Sequence, residues 1–232
     1  MTEISDALTR KVESVKVLLQ DIEANYSPAT LASSYGAEDM VLMHLISRYA
    51  PGIEIFTLDT GRLPKQTYDL MQLAKQHYQL AVQVYYPDAT AIEAFVTHNG
   101  PNAFYDSVEL RKQCCGIRKV APLKRALSGK KAWLTGMRRS QSVTRKTLPV
   151  SEWDEEHALQ KFSPLTDWSN GDVWKYIRAF GVPYNSLHDD GYASIGCAPC
   201  TRAVTPGEDI RAGRWWWENP ESKECGLHIK TK

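Results

Sequence analysis

Thr30-Leu-Ala32, Ser33-Ser-Tyr-Gly36 and Ala37-Glu-Asp-Met-Val-Leu-Met-His-Leu-Ile46 read in succession as a short strand, a turn of small residues and a helix. That order aims backbone N–H groups and a helix N-terminus at an anion. The turn lacks the Gly-Lys-Ser/Thr of a Walker A loop and is not GxGxxG. Taken alone, it is as consistent with a plain turn as with a phosphate site.

Upstream, Ile4, Leu8, Val12, Val15, Leu18, Leu19 and Ile22 recur at helical spacing and predict an amphipathic helix over 3–24. Downstream, Pro51-Gly52 punctuates, and Ile53–Leu58 predicts a second strand ending in Asp59-Thr-Gly61-Arg62. Pro64 suits the first turn of a helix to Tyr78, and Leu80–Tyr85 predicts a third strand. Helices broken near Asn99-Gly-Pro101 fill 91–127, and Lys131–Thr135 adds a strand that ends at Gly136-Met-Arg138-Arg139. Strands alternating with helices predict an α/β fold with a mostly parallel sheet covered on both faces. Ligands in such sheets collect at the carboxyl ends of strands. Three strand ends therefore converge on one edge, where Arg138 and Arg139 could grip a phosphate or sulfate.

Ser151–His157 is acidic and is expected to be a surface loop. Ser169 is placed to cap a helix through Val173, Trp174, Tyr176 and Ile177, with Trp168 and Trp174 as core. Beyond Tyr184 periodicity fades into loops and short helices. There is no internal repeat.

The 232 residues carry a formal net charge of +1, but the charge is uneven. Arg111 to Lys146 holds twelve Lys and Arg and no Asp or Glu. Such a stretch suits a phosphate-bearing ligand, or is simply a solvated basic surface. No run of about 18 apolar residues occurs, which argues against a membrane helix. Met1-Thr-Glu-Ile-Ser-Asp has no basic-then-apolar leader, so a cytoplasmic location is expected.

Five cysteines fall as Cys114-Cys115, Cys197-Ala-Pro-Cys200 and a lone Cys225. Four thiolates can hold an iron–sulfur cluster or a structural zinc, and a CxxC can instead be a redox dithiol. Adjacent cysteines on a helix diverge by about 100°, which suits a bulky cluster better than one small ion. Cys225 would be left over as an incidental surface thiol or as a nucleophile, the latter supported by Lys223 and His228 near it in sequence and by Gly226 leaving the sulfur accessible.

Several stretches together resemble the assimilatory adenylylsulfate (APS) reductases. They are Ser-Ser-Tyr-Gly-Ala-Glu-Asp at 33–39, Leu-Asp-Thr-Gly-Arg at 58–62, Cys-Cys-Gly-Ile-Arg-Lys at 114–119 and Gly-Met-Arg-Arg-Ser-Gln-Ser at 136–142. Gly-Cys-Ala-Pro-Cys-Thr-Arg at 196–202, Arg-Ala-Gly-Arg-Trp-Trp-Trp-Glu at 211–218 and Lys-Glu-Cys-Gly-Leu-His at 223–228 extend the likeness over almost the whole chain. The turn at 33–36 varies the Ser-Phe-Ser-Gly common in that family.

The resemblance implies a Rossmann-like fold of adenine-nucleotide α-hydrolase type over 1–205, and a mobile C-terminal tail over 206–232. It implies a [4Fe–4S] cluster on Cys114, Cys115, Cys197 and Cys200, and Cys225 as the nucleophile. Ser33, Leu58 and Gly136 would line the adenosine and phosphate site. Ser34, Tyr35, Gly36, Glu38, Asp39, Asp59 and Gly61 count with them among the substrate-binding residues. Lys119 would lie near cluster and substrate, and Arg138, Arg139, Arg145, Arg211, Arg214 and His228 would surround the phosphosulfate. The implied reaction turns APS into sulfite and AMP with thioredoxin as reductant, in sulfate assimilation and cysteine biosynthesis. No nucleic-acid or membrane partner is expected, and self-association is left open. The rival readings are a reductase of the 3′-phosphorylated substrate PAPS or of both substrates, a cluster-bearing tRNA-thiolating ATP pyrophosphatase, and a zinc-stapled nucleic-acid-binding module.

Overall fold

The computed structural model describes residues 4–141 and 145–219. In chain order its helices and strands are α1 (Asp6–Asn25), β1 (Ala29–Ala32), α2 (Ala37–Tyr49), β2 (Glu54–Leu58), α3 (Lys65–Tyr78), β3 (Val82–Tyr85), α4 (Ala89–Asn99), α5 (Val108–Cys115), α6 (Ala121–Leu127), β4 (Ala132–Leu134), β5 (Ser151–Asp154), β6 (Leu159–Phe162) and α7 (Asn170–Phe180). They divide into two compact units. The first holds residues 1–57, 65–83 and 129–186, and the second holds 58–64, 84–128 and 187–232. Residues 206–219 of the expected tail thus fall within the second unit.

The first unit follows from its patterning. Ser5 accepts a hydrogen bond from Leu8 N and starts α1, which buries Leu8, Val15, Leu19 and Ile22 on one stripe. Helix α2 differs, because every residue from Asp39 to Ile46 is buried. It packs against α1 and α7 and so has no solvent face of any width. Helix α7 begins with a capping box in which Ser169 and Asp172 bond each other's backbone, and Gly181 ends it in the left-handed conformation. Trp168 is core as expected, whereas Trp174 is only partly buried.

The sheet runs β3-β2-β1-β4-β6-β5. Strands β2, β1, β4 and β6 pair in parallel, and β5 joins β6 antiparallel. Parallel pairing puts the carboxyl ends of β1 and β4 on the same edge. The expected surface loop at 151–157 is a correction: it forms β5 and the turn into β6, with Ser151 opposite Phe162 and Trp153 opposite Gln160. Buried Lys161 makes β6 possible, since its ammonium pairs with Glu152 and lies 5.4 Å from the Trp133 ring centroid.

In the second unit, α5 runs into a single π-helical turn, Gly116–Val120, and on into α6. A small core of Phe104, Cys197, Cys200 and Trp215 has Cys114 and Trp217 packed against it.

Candidate functional site

At the end of β1 the backbone leaves the sheet after Ser33 N bonds Phe56 O at 2.8 Å. Tyr35 then adopts φ 59°, a left-handed conformation unusual for a residue with a β-carbon. That reversal lets Gly36 stand at the N-cap of α2, where no side chain caps the helix. Asp39 holds the turn shut: its Oδ2 accepts from Ser34 N at 2.6 Å and Ser34 Oγ at 2.7 Å. Ser33 Oγ accepts from Tyr35 N at 3.2 Å, which leaves its own proton to donate elsewhere. Burial pushes the Asp39 carboxyl up to about 6, against the lowering pull of the Ser34 bonds.

Gly136, at the end of β4, faces the same turn. A β-carbon there would stand 2.5 Å from Asp39 Oδ1 and 2.8 Å from Glu38 Cβ, so only glycine fits. Arg138 is 1% exposed, and each nitrogen of its guanidinium is bonded within the protein. It donates twice to Glu38 Oε1 (2.9 and 2.6 Å), to Ser140 Oγ (2.6 Å) and to Trp168 O (3.3 Å). Gln141 also donates to Glu38 at 3.0 Å and accepts from Arg145 at 2.7 Å. Arg139 bonds Leu148 O and pairs with Asp167. Ser33 to Asp39, Gly136, Arg138 and Arg145 are therefore one connected network in the first unit.

The loop after β2 belongs to the second unit and is built into a cysteine centre. Leu58, the last residue of β2, is where that unit begins. Asp59, buried, accepts from Gly61 N at 2.8 Å, and Gly61 takes φ 69°. Thr60 Oγ1 lies 3.2 Å from Cys197 Sγ, Thr60 O accepts from Arg118 at 2.6 Å, and Ala198 N donates to Arg62 O at 2.8 Å. Cys197 and Cys200 close a one-turn 3-10 helix with Pro199 inside it, and Thr201 Oγ1 bonds Cys197 O at 2.9 Å. Cys114 and Cys115 finish α5.

All four cysteines line one cavity of about 380 Å³, counting its open mouth. They are free of disulfides. Cationic and aromatic groups, Lys119 among them, complete the wall. Burial, then neighbouring Cys197, pushes the Cys200 thiol up to about 12, while Lys119 and Arg214 pull it down. Arg62 Nη1, Arg118 Nε and Trp215 Nε1 are buried there without a hydrogen-bond partner among the described residues. Trp215 is held between the Arg111 and Arg214 guanidiniums, 4.8 and 4.7 Å from its ring centroid. Arg214 in turn needs Gly196, because a β-carbon there would collide with its guanidinium. Arg211 anchors a turn, its N–H bonding Asp209 at 2.8 Å. Cys225 and His228 lie outside the described residues.

Thr60, Arg62, Arg111, Arg118, Trp215 and Glu218 had no role in the sequence reading. Thr60, Arg62, Arg118, Trp215 and Glu218 sit inside the motifs that carried the resemblance, which was the one signal for them. Arg111 had no signal beyond lying in a basic stretch.

The mostly parallel sheet, with an anion-type turn after β1 and a glycine opposite it after β4, defines a Rossmann-like protein of the adenine-nucleotide α-hydrolase class. Among solved structures, FMN adenylyltransferase of Candida glabrata in complex with ATP superposes with a TM-score of 0.61 at 14% identity, over 97% of this chain and 78% of that one, a likeness of fold alone. The phosphoadenylyl-sulfate (PAPS) reductase of Candida auris, solved as a phosphate complex, gives a TM-score of 0.71 at 28% identity, covering 88% of this chain and 99% of that one. A relative named adenosine 5′-phosphosulfate reductase, from Allochromatium vinosum, is 53% identical over 97% of this chain and 88% of its own. Residues 28–203 match the phosphoadenosine phosphosulfate reductase domain, and the chain belongs to that family. Among the described residues, no helix is long and apolar enough to cross a membrane.

Proposed function

We propose that this chain is a thioredoxin-dependent reductase of adenosine 5′-phosphosulfate that yields sulfite and AMP through an S-sulfocysteine on Cys225. The carrying observation is the cavity lined by four cysteines, whose wall presents buried N–H donors without a partner among the described residues. That donor set fits a [4Fe–4S] cluster. Soft thiolates suit iron, and cations with unpartnered N–H groups suit a site that gathers negative charge on sulfur. No three His, Cys, Asp or Glu side chains gather closely enough for a single metal ion among the described residues. The adjacency of Cys114 and Cys115, whose side chains diverge by about 100° on a helix, suits a polynuclear group better than one small ion. The cluster would supply a fixed electrostatic and structural centre rather than electrons. Free thiols in this number suit a reducing compartment, the cytoplasm.

The chemistry balances with thiols alone. The Cys225 thiolate attacks the APS sulfur, a sulfur–sulfur bond forms, the sulfur–oxygen bond to AMP breaks, and AMP leaves with that electron pair. A thioredoxin thiolate then attacks Cys225 sulfur, releasing sulfite and leaving a mixed disulfide that the second thioredoxin thiol resolves. In this reading the turn at Ser33–Gly36 with Gly136 takes the nucleotide, and Lys119, Arg211 and Arg214 offset charge developing on the leaving phosphate. Residues 206–232 act as the tail that carries the nucleophile.

Anaerobic intact-mass measurement tests this. One sulfonate should add with APS, be absent in Cys225→Ser and be released by thioredoxin. Equal modification by PAPS would make the enzyme dual-substrate. No adduct from either, with iron in place, would overturn the reading.

A further inference from the structure

The chemistry above makes no use of the ion pair between Arg111 and Glu218. Their side chains are 1% and 3% exposed, although their positions are 107 apart in sequence. The pair is bidentate: Arg111 Nε meets Glu218 Oε1 at 2.8 Å and Nη2 meets Oε2 at 2.8 Å. Two parallel bonds fix orientation as well as distance. Arg111 also hydrogen-bonds Cys115 and lies over the Trp215 ring. Glu218 N closes the local turn on Trp215 O at 2.9 Å. One buried cation therefore ties the middle of α5 to the segment ending at Asn219, all within the second unit.

A buried pair is a weak means of gaining stability and a better means of enforcing one register. The register enforced here is that of the chain just ahead of Cys225. Cys225 follows Glu218 by seven positions, a span of at most about 25 Å when extended. A tethered nucleophile has an effective concentration set by where its tether is fixed.

We propose that Arg111 and Glu218 are positioning residues for sulfonate transfer, fixing the root of the Cys225 segment to the cysteine-bearing helix. The proposal rests on the reading of Cys225 given above.

The test compares iron-loaded wild type, Glu218→Gln, Glu218→Asp and Arg111→Lys. Each is mixed with APS without reductant, quenched over time and weighed intact. AMP affinity and iron per chain are measured alongside. Glu218→Gln should slow adduct formation at least about tenfold, with AMP affinity and iron content at wild-type levels. Glu218→Asp, which keeps the charge, should recover part of the rate. An unchanged rate in Glu218→Gln would overturn the proposal, as would a slowing that merely follows lost iron. If Glu218→Gln fails to fold, Arg111→Lys carries the same test, because it keeps the charge and removes the second bond. A wild-type protein that takes no adduct sinks the functional reading itself. A wild-type adduct with undisturbed variants sinks the anchor alone.

Discussion

Asp39 accepts both the backbone N–H and the hydroxyl of Ser34, at 2.6 and 2.7 Å, and so closes the turn after β1 from behind. The consequence is a division of labour between two adjacent serines. The Ser34 hydroxyl is committed to Asp39, whereas the Ser33 oxygen accepts from Tyr35 N and keeps its proton to donate.

Ser33→Ala should therefore weaken AMP binding about tenfold, the usual scale for a hydrogen bond to a charged group. Ser34→Ala should leave AMP affinity within about threefold and lower the melting temperature instead. Calorimetric titration and thermal melts separate the two. The reverse pattern would mean that Ser34 binds the nucleotide.

Asp39 and His44 should give opposite pH responses over one window. Burial lifts Asp39 to about 6, above the ordinary carboxylate range, so its contribution to stability is present at low pH and lost as pH rises through about 6. Burial, then Arg48, lowers His44 to about 4, so its contribution is present above the usual histidine value and lost as pH falls toward 4. His44 is boxed by Tyr78 and Tyr176, with ring centroids 5.8 and 5.7 Å away. Acidification from pH 7 to 5 should lower the denaturant midpoint of Asp39→Asn more than that of wild type, and of His44→Phe less. Parallel pH slopes in all three would refute both assignments.

Arg138→Met should cost about 3–5 kcal/mol, because Glu38 loses the cation that it accepts from twice. In a chain of this size that lowers the melting temperature by about 10 °C. Glu38→Leu paired with Arg138→Met should recover much of the loss. A single variant that melts like wild type but fails to bind AMP would instead make Arg138 a direct ligand of the nucleotide.

Replacing any one of Cys114, Cys115, Cys197 or Cys200 by Ser should strip iron and the visible absorbance that comes with it. Elemental analysis of the purified wild type is the check. Zinc in place of iron would sink the cluster reading and revive the nucleic-acid-binding one.

The α/β alternation was legible because helix and strand periods differ, and because Pro51-Gly52 and Ser169 mark boundaries that the backbone obeys. The hairpin of β5 and β6 was not. Its edge strand exposes Trp153 at 54% and turns both its acids, Glu152 and Asp154, to the inner face, and its inner strand hides a lysine whose partners, Glu152 and Trp133, are remote or unremarkable in the sequence. The same limit applies to the basic stretch. Arg111, Arg138 and Arg139 read as an open positive field, yet each meets an acidic residue, and in Arg111 and Arg138 that residue lies 100 or more positions away. Periodicity reports which way a side chain faces. It carries nothing about which distant charge will be waiting there.

The π-helical turn at Gly116–Val120 carries Arg118 and Lys119 directly after Cys114 and Cys115. Such turns hold one residue more than a regular helix needs. Removing one residue between Cys115 and Ala121 would let α5 and α6 fuse into one regular helix with α6 near its present phase, while the residues inside the turn shift by up to one position, about 100°. Arg118 and Lys119 would then swing away from the sulfurs while the composition stayed almost the same. This centre is thus a matter of angular bookkeeping along one helix axis, vulnerable to a lost codon in a way that a substitution scan would never detect.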